Sequence, residues 1–350
     1  ITDASSNEML NGETVSGTDG AKPAILSAAT GDNNSDGTVD RLTLTFSESV
    51  VITDPGTDDH ITLVASTGSA SISAASYGTT ASTLVYTITG ATANNTSLTI
   101  APTYATGGTG DITDASSNEM LNGETVSGTD GAKPAILSAV TGDANSDGTV
   151  DRLTLTFSES VVITDGGTDN DITLSASTGT ASISAASYGA TASSLVYTIS
   201  GATAGNTSLT ITPTYAVGGA GNITDASGNE MLNGETVSGS DDIVPVLLSA
   251  SYKDTNGDGT VNRIDAVYSE DISGSTFESG DWTFPTNPHT LSVGSGVFSG
   301  STVQITVTGS PANTTVLGTT TVKYTAQGTS NSMTDGTNHA ATSSVITVSD

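Results

Sequence analysis

Arg41-Leu42-Thr43-Leu44-Thr45-Phe46-Ser47 alternates without a break: Leu42, Leu44 and Phe46 share one face, and Arg41, Thr43, Thr45 and Ser47 share the other. A period of two residues belongs to a β-strand with one side on a core and the other in water. Working outward, the same kind of patterning predicts strands over 24–28, 39–47, 61–65, 70–76, 84–89 and 97–102, followed by a closing hairpin. Asn122-Gly123 and Asn233-Gly234 have the chemistry of a two-residue type I′ turn. Seven or so short strands in a stretch of about 110 residues predict a two-sheet sandwich.

The stretch is one copy of a repeat. A segment beginning Ile-Thr-Asp-Ala-Ser starts at Ile1, Ile112 and Ile223, a period of 111 residues, and a degraded fourth copy begins at Met333. Residues 23–133 and 134–244 differ at about 20 of 111 aligned positions, so they must share one fold. Each unit opens on a proline after a polar, acidic stretch, at Pro23, Pro134 and Pro245. Proline stiffens a seam and removes a donor there. The expected organisation is three immunoglobulin-like β-sandwich modules in tandem, 23–133, 134–244 and a divergent 245–350, in an all-β chain. Residues 1–22 are then the closing segment of a preceding or partner module, with a longer parent array favoured over donation in trans.

Composition narrows the function. The chain carries 37 Asp plus Glu against 7 Lys plus Arg, a formal net charge of −30, which makes nucleic acid and anionic membranes poor partners. No apolar run is long enough to span a bilayer, and no leader peptide is visible at the start. With no cysteine, disulfides and thiolate chemistry are excluded. Stability then rests on packing, hydrogen bonds or a hard cation.

The chemically pointed motif is Asp32-Asn33-Asn34-Ser35-Asp36-Gly37-Thr38-Val39-Asp40. Oxygen-bearing side chains at positions 1, 3, 5 and 9, glycine at 6 and a threonine carbonyl at 7 match the first part of an EF-hand-type calcium loop. The expected ligands are therefore Asp32, Asn34, Asp36, Thr38 and Asp40. The second loop offers Asp143, Asn145, Asp147, Thr149 and Asp151, and the third Asp254, Asn256, Asp258, Thr260 and Asn262. Position 12 lacks the usual glutamate, so Glu48, Glu159 and Glu270, which recur at the period, are the expected completing ligands. Three carboxylates crowded in one loop repel unless a cation offsets them. The alternative is an Asx-rich turn held by side-chain to backbone hydrogen bonds, with no metal. A second acidic cluster, Asp114 with Asn118 and Glu119, repeats as Asp225, Asn229 and Glu230 shortly before the linker acids Asp130, Asp241 and Asp242. It reads as a junction cation site or, equally, as a solvated polar loop.

Thr-Phe-Ser-Glu-Ser-Val, after a proline-led first strand and before Asp-Ala-Ser-Gly-Asn-Glu and a closing strand, resembles the bacterial Ig-like repeats of large surface proteins, S-layer proteins and giant adhesins among them. The resemblance spans essentially the whole chain and implies secretion, tandem arrays and calcium dependence. The third unit departs from it, with Ser-Glu-Asp-Ile at 269–272 and an insertion bearing Trp282.

No enzyme is expected. His60, His289 and His339 do not recur at equivalent positions and read as surface residues, and only 4% of residues are aromatic, too few to line a glycosidase cleft. The expected function is an extracellular, calcium-stabilised stalk, fibre or surface-layer element, whose partners are neighbouring repeats or identical subunits. The rival is an adhesin array that holds a glycan or protein ligand on Phe277, Trp282, Phe284, Pro285, Pro288 and His289 in the third module; core packing of Trp282 is the favoured reading of that cluster.

Overall fold

A computed structural model describes residues 1–52, 60–77, 82–107, 111–163, 171–188, 193–218, 222–309, 320–327 and 333–349. The chain is all-β and built of sandwich modules. It divides into two compact units, Ile1–Asn34 with Thr38–Ala132, and Ser35–Gly37 with Lys133–Asp350.

The first unit contains β1 (Ile25–Gly31), β2 (Arg41–Phe46), β3 (Val51–Ile52), β4 (Ile61–Ala65), β5 (Ser71–Tyr77), β6 (Thr83–Thr89), β7 (Ile100–Tyr104), β8 (Ile112–Thr113) and β9 (Gly128–Thr129). One sheet runs β5-β6-β2-β1-β9, while β4 pairs with β7 and β3 with β8. The alternation of β2 sets the register: Leu42 lies opposite Tyr86 and Leu44 opposite Leu84, and all four are fully buried. Cross-strand apolar pairs of this kind are the unit of sheet stabilisation. The polar face of β2 stays half-exposed.

The second unit repeats this plan with β10 (Ile136–Gly142), β11 (Arg152–Phe157), β12 (Val161–Ile163), β13 (Ile172–Ala176), β14 (Ser182–Tyr188), β15 (Ser194–Ser200), β16 (Ile211–Tyr215), β17 (Ile223–Asp225) and β18 (Gly239–Asp241). It continues with β19 (Leu247–Lys253), β20 (Arg263–Tyr268), β21 (Trp282–Thr283), β22 (Ser292–Ser299), β23 (Thr302–Thr308), β24 (Thr321–Tyr324) and β25 (Ile346–Ser349), whose strands join in the order β21-β24-β25-β19-β20-β23-β22. Among the described residues the buried apolar side chains form three clusters, centred on residues of 25–132, 136–243 and 247–348.

Three local expectations are corrected. The Asn-Gly turns are not type I′, which needs positive φ at both central residues. Only Gly123 (φ 81°) and Gly234 (φ 85°) are left-handed. The chain after each turn pairs with β7 or β16, through the Thr103–Thr125 and Thr214–Thr236 bridges, so the closing segment is no simple hairpin. The expected strand at 97–102 forms as β7, Ile100–Tyr104; Pro102 lies opposite Leu63 of β4, and its carbonyl accepts the Thr125 hydroxyl at 2.8 Å. His60 is not a surface residue: it is buried, stacks on Tyr104 with centroids 5.8 Å apart, and its Nδ1 lies 2.8 Å from the Ala105 carbonyl.

Candidate metal centres

The acidic loops fold as interlocked turns. Position 9 ties each loop to its own start: Asp40 accepts the Asn33 N–H at 2.7 Å, Asp151 the Ala144 N–H at 2.7 Å and Asn262 the Thr255 N–H at 3.0 Å. Position 1 gathers the turn from the other side. Asp143 accepts the Gly148 N–H at 2.7 Å, and Asp254 accepts those of Gly257 at 2.8 Å and Gly259 at 2.9 Å. The Gly259 N–H, ahead of the opposing effect of burial, holds the Asp254 carboxyl below the usual range. At positions 3 and 5, Asn145 donates to Asp147 at 3.0 Å and Asn256 to Asp258 at 2.8 Å. The Thr38 and Thr149 hydroxyls accept the N–H groups of Asn94 and Gly205, and the Thr260 N–H donates to Asp258. Hydrogen bonds of this Asx-turn type give the loops their shape.

Gly148, at position 6 of the second loop, has a further role. Its φ is 83°, and a Cβ there would overlap the Leu248 side chain and press on Ser269. The loop is therefore a packing surface for the start of the following module as well as an array of oxygens. Gly259 has the same conformation (φ 81°) but open space around it.

The recurrent glutamates belong elsewhere. In the first unit Glu48 groups with Asp19 and Asp114, and in the second Glu270 groups with Asp241 and Asp335, with carboxylate oxygens within 4.8 Å of one another in each set. Each set joins a linker acid to a glutamate that follows the second strand of its module and to the aspartate of the Thr-Asp closing motif. The aspartate is held rigidly: the Asn118 side-chain amide donates to Asp114 at 2.7 Å and to the Asp19 carbonyl at 3.3 Å, and the Asn338 amide donates to Asp335 at 3.2 Å and to the Ile243 carbonyl at 3.2 Å. Asp114 is buried, which raises its pKa, but the Asn118 and Ser116 donors outweigh that and bring it below the ordinary value.

The two sets differ in their surroundings. Glu48 is half-exposed; desolvation, then Asp19 and Asp114, push its carboxyl up. Glu270 is only 5% exposed and accepts the Thr207 hydroxyl at 2.8 Å, while Thr207 Oγ1 also lies 2.6 Å from Ser269 Oγ. Burial, tempered by Thr207 and reinforced by Asp241 and Asp335, raises Glu270 to about 8. Asp241 rises to about 6, from burial and then from Asp335 and Asp242, against the Ile243 N–H.

Both sets could hold a metal ion. The donors in each set are carboxylate oxygens, joined in the second by the Thr207 hydroxyl, a combination suited to a hard cation. Glu48, Glu270, Asp114 and Asp241 stand out in the sequence, whereas Asp19, Asp335 and Thr207 do not. Asp19 was findable, because Asp19, Asp130 and Asp241 stand at the repeat period. Thr207 was not, since it reaches Glu270 only through the packing of one module on the next.

The aromatic cluster of the third module lies inside. Trp282 is 3% exposed and packs against Phe277, Tyr268 and Tyr324, with centroids 6.4, 6.5 and 5.5 Å away. Asn94, Asn95, Asn206 and Asn313 stand in N-x-Ser/Thr sequons; the Asn95 and Asn206 side chains bond to the Thr67 and Thr178 hydroxyls, and Asn313 lies outside the described residues. The chain matches no protein-family model, and no curated protein matches it.

Proposed function

We propose that the chain is an extracellular structural repeat protein, a stalk, fibre or surface-layer element, whose sandwich modules are fixed by calcium. The observation that carries this reading is the Asp241–Glu270–Asp335 group. A linker acid, a nearly buried glutamate and a rigidly held aspartate meet within 4.8 Å. Three like charges so placed disfavour one another's ionisation and oppose folding. A divalent cation removes that opposition and ties the linker to the module that follows it. The hard-cation donor set and the oxygen-rich loops favour calcium, and extracellular modules hold it with dissociation constants on the order of 10⁻⁴–10⁻³ M.

The loops are a second class of oxygen site. Because Glu270 is nearly buried beside two further carboxylates, whereas Asp147 and Asp258 of the loops are exposed, the carboxylate groups are assigned the tighter binding. Calcium titration of the full chain followed by calorimetry tests this: Asp335→Asn should remove the strongest heat, and Asp258→Asn should leave it. The assignment fails if only the loop substitution removes it.

A further inference from the structure

The Asn-Gly pairs within the modules are 122–123 and 233–234 in the closing segments and 256–257 in the third acidic loop. Asparagine before glycine carries a latent reaction, because the glycine nitrogen can attack the side-chain carbonyl beside it and no Cβ stands in the way. Groups joined by the chain in this manner need only the right conformation to react. The fold treats the pairs in two ways.

In the closing segments each pair is clamped to a strand. The Gly123 N–H donates to the Tyr104 carbonyl and the Gly234 N–H to the Tyr215 carbonyl, both at 2.8 Å. The asparagine side chains are held as well: Asn122 Oδ1 accepts the Thr106 N–H and Asn233 Oδ1 the Val217 N–H, both at 3.0 Å. Tyr104 and Tyr215 are fully buried, so freeing either nitrogen means lifting the closing segment from β7 or β16. Opening of that kind costs free energy that a frayed turn does not.

In the third loop every partner is local and in water. Asn256, Gly257 and Asp258 are exposed. The Gly257 N–H donates to the Asp254 carboxylate at 2.8 Å, the Asn256 side-chain amide to Asp258 at 2.8 Å, and the Asn262 side-chain amide to Asn256 Oδ1 at 3.2 Å. The nucleophile therefore rests on a base, and the carbonyl it attacks faces a donor that stabilises the developing oxyanion. The first two loops have serine where the third has Gly257. This position is left-handed, with φ of 59° at Ser35, 60° at Ser146 and 71° at Gly257. Glycine adopts that conformation without strain, but it also removes the Cβ that hinders the same attack on Asn34 and Asn145.

We infer that Asn256 is a self-modifying site, which loses ammonia through its own main chain and becomes aspartate or isoaspartate while Asn122 and Asn233 stay intact. The bond from Gly257 N to Asn256 Cγ forms, and Asp254 takes the N–H proton as it does. The Cγ–Nδ2 bond then breaks, and the nitrogen leaves with that proton as ammonia. Water opens the resulting succinimide at either carbonyl, so one water is consumed for each ammonia released. Either product adds a negative charge between Asp254 and Asp258, and isoaspartate also lengthens the main chain at the turn.

The test holds the full chain at pH 8 in chelator, which keeps cation binding out of the comparison, and follows deamidation by peptide mapping and mass spectrometry. Asn256 should react at least about tenfold faster than Asn122 and Asn233, which wait on opening of their modules. Gly257→Ser, the residue of the other two loops, should slow Asn256 by at least about tenfold; Asp254→Asn, which keeps an acceptor for the N–H but cannot take its proton, should slow it as well. In guanidinium chloride the three pairs should react alike. Equal rates in the folded chain, a lead for Asn256 that persists in denaturant, or a rate left unchanged by either substitution would overturn the inference.

Discussion

Asp19–Glu48–Asp114 and Asp241–Glu270–Asp335 are built from corresponding parts of the repeat, yet they are chemically different sites. Glu48 stands half in water, whereas Glu270 is sealed by Thr207 of the preceding module and rises to about 8. The difference teaches that the carboxylates alone do not set how hard each group is to ionise. A preceding module that excludes water does, by removing the solvent that would otherwise screen their repulsion.

The largest expected effect is that of calcium removal on the second unit. With a dissociation constant near 10⁻⁴ M, calcium about 100-fold above it contributes roughly 2.7 kcal/mol, so chelation should lower that unit's Tm by on the order of 10 °C. Scanning calorimetry should show a smaller loss in the first unit. Equal losses in both would break the comparison.

Protons should replace calcium in part. Glu270 rises from 4.5 to about 8 and Asp241 from 3.8 to about 6 on folding. Between the unfolded and folded values the folded state binds more protons, so this contribution is fully present below the unfolded pKa values and is lost as pH rises through the folded ones. The chelated protein should therefore melt lower at pH 8 than at pH 5, and calcium should flatten the slope. Thermal melts across that range would show it; stability that increases towards pH 8 in chelator contradicts the burial of Glu270.

The glycines sharpen the comparison at the loops. Gly148→Ala and Gly259→Ala impose the same left-handed strain, about 1 kcal/mol, but only the former also presses on Leu248 and Ser269, for a total of about 2–3 kcal/mol. Urea unfolding of the two variants measures the gap, and equal losses would mean that Leu248 yields freely. Thr207→Val is the smallest change, expected to cost about 1–2 kcal/mol through the lost partners of Glu270 and Ser269. Its loss should be less in calcium than in chelator, as read by the same unfolding curves.

Much of the fold was legible because a two-residue alternation leaves little choice. Leu42, Leu44 and Phe46 are buried as their spacing requires, and the β4, β5 and β6 strands lie within a residue of their expected ends. The short strands β3 and β8 were not legible, because two residues carry no period. Asn122-Gly123 misled because Asn-Gly suits a type I′ turn, while tertiary pairing of Thr125 with Thr103 selects a turn with one left-handed residue. His60 misled because a lone polar residue is usually exposed, and here Tyr104 and the Ala105 carbonyl receive it. At the candidate site, residue types and the repeat period marked the acids, but grouping Glu48 and Glu270 with the loops followed sequence proximity. The groups they join are assembled by residues 29 or more positions away, such as Asp19, Asp114, Asp241 and Asp335.

The central claim, that the buried carboxylate group of the second unit is a cation site, rests most directly on Glu270. Glu270→Gln keeps an acceptor for Thr207 and removes the charge. Measured by calorimetry at pH 8, the variant should melt above the unaltered chain in chelator, because an unfavourable buried charge is gone, and should gain little on adding calcium, while the unaltered chain gains its full increment. A variant that melts lower in chelator, or that gains as much from calcium as the unaltered chain, would contradict the account.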